Sequence, residues 1–408
     1  MKRLLQNKNY TFLLLGYMLS VFVDAVVFMA AVKQIEILSN STTSYTTLYL
    51  SNYLPAVLFS LVIGAWINKK QIVHVMRNSL LIRALLVVLF IGGAGLSNLP
   101  LIYLFIFIDS FLTVFILPST DTLVTRVVPI ESRANANAVI KLMFVLMQMI
   151  GFGVTTIMIK LDISLITILI VSAILLIGAF LSISKVQYRH IKAPETPRVG
   201  DEIRDLFLYL KEQKHVTKLF TLFALAWLVA SSIDLIVIAY LTDSASVSSE
   251  NFGIVAIVVF LGMIIGSSFS AILYEKFKSR IKFIFGFPLL VYTVTVLSMY
   301  LFDNWLWILP FFLLGGISLG LYEVCFTTYL QDNNDEAYYT RIFSIQGMIL
   351  SSMPLPGLLF LGGLIEILGI PYTIIVVALF LFVLSIIALN TNFYHHSVGD
   401  GSKQRVEP

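Results

Sequence analysis

Twelve apolar stretches, each long enough to cross a bilayer as a helix, recur through this chain, and they leave few folds open to it. They lie near 11–32, 45–67, 78–97, 100–124, 134–159, 163–184, 219–242, 251–273, 281–302, 304–330, 341–366 and 370–391. The runs are continuous and do not alternate, so they predict helices and not the strands of a barrel. Composition excludes a soluble reading. Of the 408 residues, 58% are hydrophobic and 12% charged, with mean hydropathy +0.92, where a soluble domain carries about 25% charged residues. The chain has too little polar surface to face water, so its solvent is lipid. The first run follows Met1-Lys2-Arg3, as a signal peptide would. It is too long for one, lacks a small-residue cleavage site, and is followed by the other spans.

The distribution of Lys and Arg gives an orientation. With the N-terminus in the cytoplasm, the loops on that side hold Lys2, Arg3, Lys8, Lys69, Lys70, Arg77, Arg126, Arg133, the run from Lys185 to Lys218, Lys276, Lys278, Arg280, Lys282, Arg341, Lys403 and Arg405. The opposite side holds only Lys33 and Lys160. Both termini are therefore expected in the cytoplasm and the protein in the plasma (inner) membrane. One cysteine, Cys325, excludes an internal disulfide and a thiolate metal cage. The histidines, at 74, 190, 215, 395 and 396, all lie outside the apolar runs. No metal, no cofactor and no nucleic-acid partner is expected. A membrane-embedded enzyme such as an acyltransferase lacks its histidine, so the reading is of a protein that is not an enzyme.

One long connection, 185–218, divides the chain. Asp201 is placed to cap a helix, and apolar residues at 203, 206, 207 and 210 follow helical spacing, which predicts an amphipathic helix at the membrane surface. The expected organisation is a six-helix half at 1–184, the linker at 185–218, a second six-helix half at 219–392 and a disordered cytoplasmic tail at 393–408. The halves echo one another. The segment 121–131 after span four corresponds to 326–336 after span ten, and Asp24 in span one corresponds to Asp234 in span seven. The fold class is an all-α membrane protein of about twelve transmembrane helices, in two pseudo-symmetric six-helix bundles around a central cavity. Such repeats imply two rocking halves.

Several motifs fit one family. Asn9-Tyr10-Thr11-Phe12-Leu13-Leu14-Leu15-Gly16, with Ser20 and Val23-Asp24, opens the first span; Leu54-Pro55 and Gly64 lie in the second; Leu117-Pro118-Ser119 and Val128-Pro129 end the fourth; Thr340-Arg341-Ile342-Phe343-Ser344 opens the eleventh. On these the chain resembles the major facilitator superfamily, and within it the bacterial branch of macrolide-efflux and enterobactin-exporter proteins. The resemblance implies a secondary active transporter that exports a drug or siderophore against proton entry, working as a monomer in the lipid bilayer with a small-molecule substrate and protons as its partners. Departures are visible. The loop motif after the second span reads Gly64, then Asn68-Lys69-Lys70, with Asn68 where the family has an acid. The antiporter pattern of the fifth span becomes Gly151-Phe152-Gly153-Val154-Thr155-Thr156, without its proline or paired glycines. Two other readings stay open: an importer of a metabolite or siderophore with the same fold, and a non-transporting membrane sensor or assembly partner.

Six charges fall inside spans: Asp24, Arg83, Asp109, Lys141, Asp234 and Glu323. A charge at mid-membrane costs about 2.5–3.5 kcal/mol on the insertion scale, so each is a candidate for function. Asp24, Asp109, Asp234 and Glu323 are candidates for proton coupling or the substrate cavity, against a competing reading as packing hydrogen-bonders. Lys141 and Glu323, at similar depths, are expected to pair across the halves as a gate, or Lys141 to meet an anionic substrate. Arg83 is a further candidate for a gate or substrate charge, against the reading that it is shallow enough to snorkel to the surface.

Overall fold

The computed structural model describes residues 6–39, 41–67, 71–92, 97–129, 132–187, 214–332 and 339–391. The expected amphipathic helix at 201–211, the tail from 393 and the loop residues Asn68, Lys69 and Lys70 lie outside them. Every regular element among the described residues is helical: α1 (Lys8–Leu38), α2 (Thr42–Ile67), α3 (Ile72–Gly92), α4 (Leu99–Thr113), α5 (Ile116–Val127), α6 (Arg133–Lys160), α7 (Leu165–Ser184), α8 (Lys214–Ala230), α9 (Ile233–Ala239), a π turn (Tyr240–Ser244), α10 (Phe252–Phe277), α11 (Ile281–Leu301), α12 (Leu309–Asp332), α13 (Tyr339–Ser352), α14 (Pro354–Leu368) and α15 (Ile370–Asn390). Ten stretches are long and apolar enough to cross a bilayer. One of these, Ser249–Leu301, contains both α10 and α11, and α2 adds 26 residues without a charge. The architecture is that of a twelve-span all-α bundle.

Three spans that read as continuous are broken. Between α4 and α5, Pro118 cannot donate to the carbonyl four residues back, at Val114, and the helix restarts at Ile116. The α13–α14 span breaks at Met353 for the same reason, because Pro354 and Pro356 follow. The α8–α9 span breaks at Ser231 and Ser232. The last two breaks meet. Pro354 frees the carbonyl of Leu350, and the Trp227 indole Nε1–H donates to that oxygen at 3.3 Å. The Ser232 hydroxyl donates to the Pro354 carbonyl at 3.2 Å. Backbone groups released by a break inside lipid need such partners.

The chain forms two compact units, Met1–Pro197 with Val237–Ile257, and Arg198–Ile236 with Val258–Pro408. In the first, α1 packs on α6 and α7, and α3 packs on α7. Helix α1 starts on its Asn7 cap, whose side chain accepts from the Asn9 and Tyr10 amides. It is then tied down by Tyr10, whose hydroxyl donates to the Ala136 carbonyl at 2.9 Å, and by Ser182, whose hydroxyl donates to the Phe12 carbonyl at 2.9 Å. In the second unit, α11 packs on α12 and α15. Gly262 faces Gly316, and a methyl at Gly262 would come within 2.9 Å of the Gly316 Cα. The Gly262-x-x-x-Gly266 pattern therefore brings α10 against α12 inside the chain.

Candidate functional site

Three of the intramembrane charges meet in the first unit. Ser20 and Asp24 stand one turn apart on α1, Arg83 lies near the middle of α3, and Asp109 is on α4. The Arg83 guanidinium donates from Nε to Asp109 Oδ1 at 2.8 Å and from Nη2 to Asp109 Oδ2 at 2.9 Å. It also donates from Nη1 to the Ser20 hydroxyl at 2.9 Å and from Nη2 to Asp24. The Arg83 side chain is 0% exposed, that of Asp109 8% and that of Asp24 22%. The snorkelling expected for Arg83 is thus corrected. Its guanidinium turns inward because two carboxylates and a hydroxyl wait there, and a fork-shaped donor set satisfies them together. One positive charge faces two negative ones, which leaves an excess carboxylate, and Asp24 is the more open of the pair.

The other charges lie elsewhere. Lys141 is exposed on α6, with Asp121 of α5 near enough for an attractive charge interaction. Asp234 begins α9, directly after the break in its span, and is half-buried. Unlike Asp24, it has no ion-pair partner among the described residues. Glu323 is half-buried on α12, in the wall of a narrow cleft. Phe223, Trp227, Tyr292, Tyr322 and Ser318 also line that cleft. Gly64 falls in α2.

A second polar cluster went unread in the sequence. Lys33, near the end of α1, places Nζ 2.8 Å from Glu36 Oε2 and 2.8 Å from Glu250 Oε2, and also donates to the Ser248 hydroxyl. Glu36 accepts from the Ser249 amide at 3.1 Å and from its hydroxyl at 2.7 Å. Alongside, Lys160 donates to Asn251 at 2.8 Å, and the Thr156 hydroxyl donates to the Glu250 carbonyl at 2.9 Å. Gly253 permits this approach, since a side chain there would meet Thr156 and lie 2.9 Å from the Phe152 carbonyl. The turn that delivers these residues passes through Ser246 at φ 51, left-handed and unusual without glycine. The only sequence signal was Lys33 and Glu36 spaced three apart at the end of a span.

A family model described as the Major Facilitator Superfamily matches residues 13–358. The chain belongs to the major facilitator superfamily. As a member of that superfamily it is a multi-pass membrane protein of secondary transport, and not an enzyme. Among curated proteins it is similar to an uncharacterized MFS-type transporter, YkuC, of Bacillus subtilis (strain 168), at 30% identity over 160 residues. That match spans 39% of this chain and 36% of the relative's length. Solved structures of similar fold include a bacterial homolog of the human lysosomal transporter Spinster, inward-facing and unoccupied. It has a TM-score of 0.71 at 14% identity over 93% of this chain and 95% of that one. The nucleoside transporter NupG gives 0.71 at 13% identity over 94% and 98%. At such identities the likeness shows the fold alone.

Proposed function

We propose that this protein exports a bulky, partly apolar small molecule of drug or siderophore type, by alternating access coupled to proton entry. Its motifs resemble those of the macrolide-efflux and enterobactin-exporter branch, which supports this reading. The observation that carries the coupling is the Asp24–Arg83–Asp109 cluster. A net negative charge is disfavoured where lipid and a closing cavity exclude water. Asp109 grips Arg83 through two parallel hydrogen bonds. Asp24, more open, takes a proton when the site closes and returns it when the site opens to the cytoplasm.

The experiment uses everted membrane vesicles with an acidified lumen and a panel of labelled macrolides and siderophores. Wild-type protein is expected to accumulate its substrate. Asp24→Asn, which fills nearly the same space without titrating, is expected to exchange substrate at wild-type rates but not to concentrate it. Accumulation by Asp24→Asn at the wild-type level would sink the assignment of the proton to Asp24. Accumulation only in right-side-out vesicles would reverse the direction and favour the importer.

The orientation has its own expected result. With both termini cytoplasmic, Asn40→Cys reacts with an impermeant maleimide from outside intact cells, and Gly200→Cys reacts only after the cells are opened. The reverse pattern would turn the topology over.

A further inference from the structure

Arg77, in the second turn of α3, is a half-buried cation of the first unit that its own fold leaves unpaired. Its guanidinium carbon lies 6.0 Å from the centre of the Phe180 ring on α7. Its Nε is buried without a hydrogen-bond partner, and among the described residues the group has no ion pair. Arg83, farther along the same helix, has every nitrogen engaged. The described acids of the unit are committed elsewhere. Asp24 and Asp109 hold Arg83, Glu36 and Glu250 hold Lys33, and Asp121 attracts Lys141. Asp162 precedes α7 at its far end, and Asp243 lies beside Thr42 at the start of α2.

The seam between α3 and α7 opens on lipid. Beyond Arg77, α3 exposes Leu81 and Leu85, and α7 exposes Ile170, Ile174, Ile177 and Leu181. Spacings of three and four make each set one continuous stripe. The α7 stripe runs about 16 Å at 1.5 Å per residue, close to one leaflet of a hydrocarbon core about 30 Å thick. Polar groups stand at the end where α3 begins and α7 ends. His74 and Ser184 are exposed there, and Lys185 caps α7 with its Nζ 5.3 Å from the centre of the Phe12 ring. Phe180 holds the Arg77 fork by its ring face, which presets the remaining donors for a phosphate. A cationic head above an apolar stripe of leaflet length complements an anionic phospholipid in both charge and shape.

We propose that the α3–α7 seam binds an anionic phospholipid, with its phosphate held by the Arg77 guanidinium beside Lys185 and its acyl chains laid along the exposed stripes of both helices. On the distribution of Lys and Arg, the leaflet concerned is the cytoplasmic one. The site is separate from the charge cluster around Arg83 and independent of the cargo and of proton coupling.

The test places a fluorescent reporter at the seam, as Leu181→Trp in the full-length protein, delipidated and held in a non-ionic detergent. Phosphatidylglycerol and phosphatidylcholine with the same brominated chains are titrated in, and the added tryptophan is quenched when chains lie against it. Phosphatidylglycerol is expected to quench saturably and to bind about tenfold more tightly than phosphatidylcholine. Arg77→Gln is expected to weaken phosphatidylglycerol about fivefold and to leave phosphatidylcholine unchanged. Lys185→Gln is expected to act in the same direction and decides the matter if Arg77→Gln does not fold. Arg126→Gln, which removes an exposed charge at the end of α5, is expected to change neither lipid. Equal affinity for the two lipids would overturn the proposal, as would an equal loss in Arg126→Gln, which would show only a diffuse attraction. Relief of the quenching by millimolar inorganic phosphate would overturn it too, by giving the site to a free anion.

Discussion

Arg83→Met lowers the melting temperature of the purified protein by several degrees and abolishes transport. The guanidinium is wholly buried and carries bonds to Asp109, Ser20 and Asp24. Met fills similar volume but leaves two carboxylates side by side in a dry site. Removing one partner of a buried ion pair costs about 3–5 kcal/mol, chiefly from the charge left behind. Arg83→Lys is expected to rescue little, since a point-like ammonium cannot present two parallel donors to Asp109 and still reach Ser20. Neutralising the acids in the same chain, as Arg83→Met with Asp24→Asn and Asp109→Asn, restores the melting temperature and not the transport. The loss of helical circular dichroism on heating supplies the readout. An unchanged melt in Arg83→Met would show that the buried charges do not hold the first unit together.

Lys33→Gln opens the second cluster. Lys33 separates Glu36 from Glu250, and the three side chains are 19%, 18% and 13% exposed. Without the ammonium, two largely buried carboxylates converge on Ser248 with nothing between them. The joint must part for the end of α1 to leave the 248–251 turn, so weakening it favours the parted state. Spin labels at Ile37→Cys and Ser244→Cys are expected to show a longer-distance population in Lys33→Gln, with transport down about tenfold, the consequence of a shift of about 1.4 kcal/mol. Adding Glu36→Gln relieves the repulsion and is expected to return part of the short-distance population. Identical distance distributions in wild type and Lys33→Gln would remove the cluster from the transport cycle.

The bundle was legible because lipid admits few solutions. A run of apolar residues of bilayer length must become a helix, since its amides and carbonyls have no other partners there. The members of the charge cluster were legible for the same reason, each being costly unless used. Their grouping was not, because Asp24, Arg83 and Asp109 come from three helices and nothing in the spacing says which faces meet. Arg83 shows the limit well. Its depth allowed a route to the surface, and only the positions of Asp109 and Ser20 make the inward route better. The helix breaks carried a signal in Pro118, Pro354 and Pro356 that the continuous hydropathy concealed. The Lys33 cluster was hidden differently. Ser248, Ser249 and Glu250 fall between two apolar runs, and their partners lie more than 200 residues earlier in the chain.

The membership of 237–257 in the first unit has a consequence for how the gene can be divided. The polypeptide changes unit at 197–198, again at 236–237 and again at 257–258. A cut in the long linker therefore does not yield two self-contained proteins. The later fragment carries, in the middle of its sequence, a stretch that bonds to residues synthesised with the earlier one: Glu36, Lys33, Thr156 and Lys160. Made as separate chains in one cell, the fragments would thus possess a built-in means of mutual recognition, as the pieces of a split reporter do, with no fused dimerisation tag needed to bring them together.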